Sequence, residues 1–300
     1  MKIYDCFQFY NELDLLEIRL ELLYDYVDYF VISETNKTHS NKGKKMFFLE
    51  NKDIFSKYMD KIIHIIEDLP EDILKPIKKE EINEYNKEYN KIIDIFILDD
   101  ENGLKEYPTF ARDYMQREFI KLGLINCNDD DIIMVSDLDE IPNPDIVEKI
   151  KNEKLINYCV MMDCHNFFIN NLCHTNWYGN YTALYSQTRN VALTHLRNKR
   201  VSYKKLDSSG WHLSYMGGPE RVKTKIESYS HQEFNNPYYL NSIEDKIKQN
   251  KDLFGRTNNT YNDEFQKYFF DEMKTIDLDV YTYPKKLVYL VKDKFPYLIK

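Results

Sequence analysis

The segment that most constrains this chain is Asp131-Ile132-Ile133-Met134-Val135-Ser136-Asp137-Leu138-Asp139-Glu140-Ile141-Pro142. An unbroken apolar run of this kind reads as a central buried strand, and the strand–helix–strand–strand opening of the chain suggests a mostly parallel sheet covered by helices. That strand delivers three carboxylates within four residues at its C-terminal end. In open α/β sheets, ligands bind just outside that edge. Crowded carboxylates repel one another, and a divalent cation relieves the repulsion. Mg²⁺ or Mn²⁺ suits one or two carboxylates together with phosphate oxygens of a substrate. Side-chain alternation places Asp137 and Asp139 on one side, with Leu138 anchored below. An acidic loop that merely follows a strand is the competing interpretation of the same residues.

The rest of the chain supports an α/β fold. Lys2–Phe7 reads as a first strand. A helix with Asn11 as N-cap and Leu13, Leu16, Leu20 and Leu23 on one stripe follows it. Tyr29–Ser33 and Ile62–Ile66 are short apolar strands. Phe110–Leu122 reads as a helix with Phe110, Tyr114, Phe119 and Leu122 inward, stopped at Gly123. Asn143 caps the next helix, with Pro144 at its first position. Residues 157–168, 181–189 and 211–216 read as strands, and Pro219–Ser230 as a helix. Residues 75–91 are mixed in charge and read as a solvated helix or insertion. From residue 235 the chain is helical at first and then rich in Tyr and Pro.

Composition narrows the function. A chain of 300 residues with 43% hydrophobic and 15% aromatic residues can bury a full core. Its formal net charge of −9 argues against a nucleic-acid partner, though not against a local basic pocket for one anion. Eight glycines stand where average usage of about 7% would give about 21, and no Gly-rich phosphate loop is present. Five cysteines without a C-x-x-C pair make a disulfide scaffold or structural zinc site unexpected and favour a reducing compartment. No signal peptide and no 18-residue apolar stretch is seen, so a cytoplasmic location without a transmembrane segment is expected.

Three longer segments carry a resemblance. They are Asp5–Leu20 continuing to Asp28–Thr38, Arg112–Arg117 leading to Ser136–Pro142, and Gly210–Gly218 continuing to Lys225–Phe234. In this order, over roughly residues 1–255, the chain resembles glycosyltransferase family 17, the β-1,4-mannosyl-glycoprotein 4-β-N-acetylglucosaminyltransferase-like family. The resemblance implies a GT-A-type, Rossmann-like fold, with a nucleotide-binding half at about 1–142 and an acceptor half at about 143–255. Residues 256–300 would form a helical extension packed on this domain. It further implies a UDP-sugar donor (UDP-GlcNAc first), Mn²⁺ or Mg²⁺, a glycan or glycoconjugate acceptor, and inverting single-displacement transfer.

Roles follow for individual residues. Asp139 is expected to ligate the metal, Asp137 to be a second ligand or a ribose contact, and Glu140 to orient the site from behind. His212 is a candidate third ligand or diphosphate contact. Inverting transfer needs a general base. Glu220 is the first choice, because Gly217-Gly218-Pro219 would place it in a helix's first turn, and its replacement by Gln is expected to abolish turnover. Asp163 and Glu233 are the other candidates. Arg112 and Arg117 offer planar donors for a diphosphate, unless they form surface ion pairs such as Asp113–Arg117. Phe9, Asn11, Glu12 and Glu34 lie where a uridine pocket is expected. Phe167, Phe168, Trp177, Tyr178, Tyr181 and Tyr185 could line an acceptor groove or belong to the core, and His231 reads as structural. The sequons at Asn36, Asn180 and Asn258 matter only in a secreted chain. Two other functions fit the same acids: a haloacid-dehalogenase-like phosphatase, and a non-catalytic UDP-sugar or glycan-binding module.

Overall fold

The computed structural model describes residues 1–68, 108–207, 209–255, 273–281 and 283–300, with only the backbone of residues 174–176. The insertion expected at 75–91 and the sequon at Asn258 lie outside the described residues.

Ten strands of the described residues form one sheet. They are β1 (Ile3–Phe9), β2 (Tyr29–Thr35), β3 (Ile62–Glu67), β4 (Ile132–Asp137), β5 (Glu140–Pro142), β6 (Tyr158–Asn166), β7 (Asn171–Leu184), β8 (Lys204–Leu206), β9 (Gly210–Ser214) and β10 (Lys274–Thr275). The main order is β3-β2-β1-β4-β7-β6-β9-β5, with β8 on β6 and β10 on β7. β3, β2, β1 and β4 run parallel. Beyond β4 both directions occur. β7 is antiparallel to β4 and to β6, β9 is parallel to β6, and β5 is antiparallel to β9. The sheet is therefore mixed, which corrects the expectation of a mostly parallel one. The cause is local: β6 returns through a long hairpin as β7, and a hairpin can join only antiparallel strands.

The parallel half is built as its apolar runs require. In β4, Ile132, Ile133, Met134 and Val135 are all buried. Packed beneath are Leu15, Leu16, Leu20 and Leu23 of the Leu13–Leu23 helix. That helix begins one residue later than expected. Glu12 is its N-cap residue, and Asn11 makes no side-chain cap, so the predicted Asn11 cap is not formed. Asn143 does cap the Pro144–Glu153 helix, its side chain accepting from the Asp145 amide.

Other boundaries shift. The strand expected at 181–189 lies at Asn171–Leu184, and residues 185–188 turn into a short helix. On the Pro108–Glu118 helix, Ala111 and Met115 face the core, whereas Phe110 and Tyr114 are only partly buried. The inward assignment of those two rings is thus corrected: the apolar stripe of this helix is split between core and cleft. Gly210 allows β9 to lie beside β5, because a Cβ there would come within 2.5 Å of the Ile141 carbonyl oxygen. Gly217 and Gly218 both take positive φ, 90° and 89°, and form the tight turn before the Pro219–Ser228 helix.

Candidate active site

A cleft of about 790 Å³ opens at the carboxyl ends of β1 and β4. This is the switch point of the parallel half, where the chain leaves β1 toward β2 on one side and β4 lies on the other. Asp137, Leu138 and Asp139 form its floor. Leu138 is buried, so both aspartates are presented to the cleft as the D-x-D spacing requires.

The floor is braced from below. Arg19, fully buried, grips Asp5 in the middle of β1 through its Nε (2.7 Å) and Nη2 (2.6 Å). Its Nη1 donates to the carbonyl oxygens of Asp137, Leu138 and Glu140 at 2.9, 2.9 and 3.0 Å. Its Nη2 also donates to Ser136 Oγ at 2.7 Å. One guanidinium thus sets the path of the acidic turn.

Glu140 opens β5 and points into the protein, with no solvent exposure. It accepts from Trp177 Nε1 (2.9 Å), from both terminal nitrogens of Arg197 (2.8 and 2.9 Å), and from the Asp137 amide (3.0 Å). Arg197 comes from the Leu193–Lys199 helix and reaches on to Asp137 Oδ2 at 2.6 Å. Arg117 donates to the other oxygen of Asp137 at 3.0 Å, and to Asp113 at 3.2 Å. Burial disfavours the Asp137 carboxylate, but Arg197 and Arg117 outweigh it and hold its pKa down to about 2.

Asp139 has different company. Lys225 Nζ, from the Pro219–Ser228 helix, lies 2.8 Å from its Oδ2, and His212 Nε2 lies 3.7 Å from its Oδ1. Burial works against the charged carboxyl, yet Lys225 and His212 keep it far below the ordinary range. Burial likewise opposes the imidazolium of His212, but Asp139 lifts its pKa to about 10, so the ring is charged at neutral pH. His212 lies on the indole of Trp177, and its Nδ1 is 3.5 Å from Cys164 Sγ. Four cationic side chains, Arg117, Arg197, Lys225 and His212, therefore converge on Asp137 and Asp139, with Glu140, Asp113 and Glu12 also paired to them, so the floor holds charged donors for an anion inside a network of both signs.

Among the described residues, no three His, Cys, Asp or Glu side chains are grouped to hold a metal ion. Asp139 and His212 stand 3.7 Å apart at the cleft, and they offer one oxygen and one nitrogen donor once a cation displaces the proton that the His212 imidazolium carries at neutral pH. That spacing suits neighbouring positions around an octahedral cation whose other places are taken by water and phosphate oxygens. Asp137, held by two arginines, is less free to act as a ligand.

Of the other residues singled out in the sequence, Phe9, Glu12, Arg117 and Glu233 line the cleft. Asn11 does not. Glu34 is buried outside the cleft, where its carboxylate accepts from the Phe48 and Leu49 amides and faces His64. It caps the short Phe47–Asn51 helix, so no uridine contact is open to it. Arg112 also lies outside the cleft, donating to the carbonyls of His39 and Pro108. Glu220 is in the first turn of its helix, as expected, but that turn is exposed and away from the cleft. Asp163 faces the opposite side of β6 from Cys164 and receives the Tyr281 hydroxyl. Neither of the two preferred bases reaches the floor acids. Phe167 and Tyr181 are core residues, and of the proposed aromatic groove only Trp177 and Tyr178 line the cleft. His231, read as structural, is in the cleft wall.

Asp163 carries a measurable signature. Burial raises its pKa to about 6. An unfolded aspartate titrates near 3.9, so folding takes up a proton between these values, and stability falls as pH rises from about 4 to about 6. Asp163→Asn will remove that slope. After allowance for solvent screening, it will stabilise the protein at pH 7 by roughly 1–2 kcal/mol, read from denaturant midpoints at pH 4 and pH 7. A slope unchanged in the variant would show that the carboxyl ionises freely.

Two floor partners were missed. Arg197 sits in a cation-rich stretch, Arg197-Asn198-Lys199-Arg200, where nothing local separates it from a surface charge. Lys225 falls inside the third resembling segment, on the inner side of an amphipathic helix. An isolated lysine there is the detectable sign.

The family model described as glycosyltransferase family 17 matches residues 1–94 and 73–300. The chain belongs to glycosyltransferase family 17. No curated protein matches it. Membership in glycosyltransferase family 17 makes the chain a transferase that takes a sugar donor and an acceptor, and it sets aside the haloacid-dehalogenase-like alternative. Among the described residues, no helix is long and apolar enough to cross a membrane.

Proposed function

We propose that the protein transfers a sugar, GlcNAc first, from a UDP-sugar to a glycan acceptor by metal-assisted, inverting displacement. The observation that carries this is the cleft floor: Asp137 and Asp139 ringed by Arg117, Arg197, Lys225 and His212 at the carboxyl edge of β1 and β4. We take residues 1–142 as the nucleotide half of a GT-A-type catalytic domain and 143–255 as the acceptor half, with the C-terminal residues packed on it.

Breaking a sugar–phosphate bond develops negative charge on the leaving diphosphate. Donors fixed in advance stabilise that charge without reorganising. Arg117 and Arg197 are fixed by Asp113, Asp137 and Glu140, and they can turn free donors toward phosphate oxygens. Lys225, 3.6 Å from Glu12 as well as 2.8 Å from Asp139, stands beside the same space. Asp139 and, after losing its proton to solvent, His212 would hold Mn²⁺ or Mg²⁺, which when bound supplies a Lewis acid for the diphosphate.

For the acceptor proton we favour Glu233 over Glu220 and Asp163. It lines the cleft, and its carboxylate accepts from His231 Nδ1 at 2.8 Å. Attack by an acceptor hydroxyl on the anomeric carbon passes the hydroxyl proton to Glu233 as the bond to phosphate breaks. Glu233→Gln will lower kcat by about 10²–10⁴-fold and leave UDP affinity within about twofold. A kcat within a factor of three of wild type would exclude Glu233 as the base. The function itself is tested by hydrolysis of a panel of UDP-sugars with Mn²⁺ and with EDTA. Turnover of one or two donors, lost in EDTA and restored by Mn²⁺, is expected. Binding of UDP without turnover by any donor or acceptor would make the protein a binding module, and turnover undiminished in EDTA would remove the metal.

A further inference from the structure

The cleft floor has two halves, one centred on Asp137 and one on Asp139, and among the described residues Trp177 bridges them. Trp177, on β7, donates its indole N–H to Glu140 Oε1 at 2.9 Å. The same indole lies flat on the imidazole of His212, with ring centroids 4.1 Å apart and planes 23° from parallel. Glu140 is immobile: fully buried, it also holds Arg197 at two points and the backbone of Asp137. Anchored to Glu140, the indole plane is fixed, and a fixed plane dictates how an imidazole stacked on it can turn. His212 also meets Asp139 Oδ1 through Nε2 at 3.7 Å and the Cys164 thiol through Nδ1 at 3.5 Å, long contacts that restrain the tilt of the ring less than a plane stacked on it.

We infer that Trp177 is a positioning residue, which transmits the buried Glu140 anchor to the ring plane of His212 and keeps Nε2 aimed at the space beside Asp139. This rests on the reading of His212 as a donor to the metal and diphosphate. One face of Trp177 is thereby committed to His212. A tryptophan serving only as wall material needs bulk. A positioning tryptophan needs both its N–H and its ring face, and the two can be removed separately.

Trp177→Phe keeps an aromatic face and deletes the N–H, and Trp177→Leu deletes both. Three quantities are compared with wild type: donor KM and kcat, Mn²⁺ binding in the presence of UDP by electron paramagnetic resonance, and the imidazole proton signals of His212, which an overlying indole moves upfield. Both variants are expected to keep donor KM within about twofold, whereas kcat and Mn²⁺ affinity fall about tenfold in Trp177→Phe and about 100-fold in Trp177→Leu, the range found when partners behind a metal ligand are removed. The upfield shift of His212 is expected to shrink in the first variant and vanish in the second. Wild-type kcat in Trp177→Phe would overturn the inference. So would equal losses in the two variants, since equal losses mean that only bulk matters. Absence of Mn²⁺ binding by the wild-type protein would instead remove the metal reading, and kcat and the His212 signals would then decide the positioning role.

Discussion

Asp139→Ala will reduce turnover of the donor by on the order of 10³-fold while leaving UDP binding in place. Asp139 is the one floor acid that faces both Lys225 and His212. Without it, His212 and Lys225 lose the acid they share and Lys225 keeps only Glu12 at 3.6 Å, so an anionic nucleotide is still attracted. What disappears is the oxygen that, beside His212, would hold the divalent cation. The loss should therefore fall on kcat and on the increment that Mn²⁺ adds to UDP affinity, with little change in metal-free UDP affinity. Isothermal titration with and without Mn²⁺, beside steady-state kinetics, separates these quantities. Glu220→Gln is the matched control, since its exposed turn lies away from the cleft, and it should stay within twofold of wild type. Turnover within tenfold of wild type in Asp139→Ala would sink the assignment.

Arg19→Met will be the most destabilising single change among those considered, costing about 3–5 kcal/mol. Asp5 and Arg19 are both completely buried and paired at 2.6 Å. Removing the guanidinium leaves a buried carboxylate without a partner and three carbonyls of the acidic turn without a donor. The double variant Asp5→Leu/Arg19→Met separates the two effects. Losing both charges will recover part of the stability, because a buried ion pair is often replaceable by apolar residues. It will not recover activity, because residues 137–140 remain unbraced. Urea midpoints and donor hydrolysis of both variants test this. Full recovery of activity in the double variant would show that Arg19 serves stability alone.

Much of this was legible in the chain. The apolar strand ending in Asp137-Leu138-Asp139 and the cap at Asn143-Pro144 depend on local pattern, and local pattern is what a sequence displays. Strand direction is another matter. Residues 157–168 and 181–189 read as strands whichever way they run, and it is the hairpin between β6 and β7, with β5 antiparallel to β9, that makes that half of the sheet mixed. Partnerships across long separations were equally hidden. Asp5 in an apolar strand and Arg19 on a leucine-rich helix looked like isolated charges, and nothing local marks them as a pair. Glu34 and Glu220 show the converse. Each stands where a functional acid is expected, yet one caps a helix and the other faces solvent. Position along an element does not say which way the element is turned.

The helix at Lys285–Lys294 and the turn that follows it have a consequence for how the protein is made. Lys294 pairs with Glu17, 277 positions earlier, Tyr297 donates to Asp14, and the Leu298 carbonyl receives the Ile169 amide. Leu287, Leu290 and Val291 fill the same core as Leu16 and Leu20. During synthesis, β1 and β4 can cover part of the first helix early, but the part of this core that Leu287, Leu290 and Val291 complete stays open until residue 291 has been made. Contacts that span so much of the chain form slowly. Slowing elongation ahead of residue 285 should lengthen the interval in which this apolar surface is open.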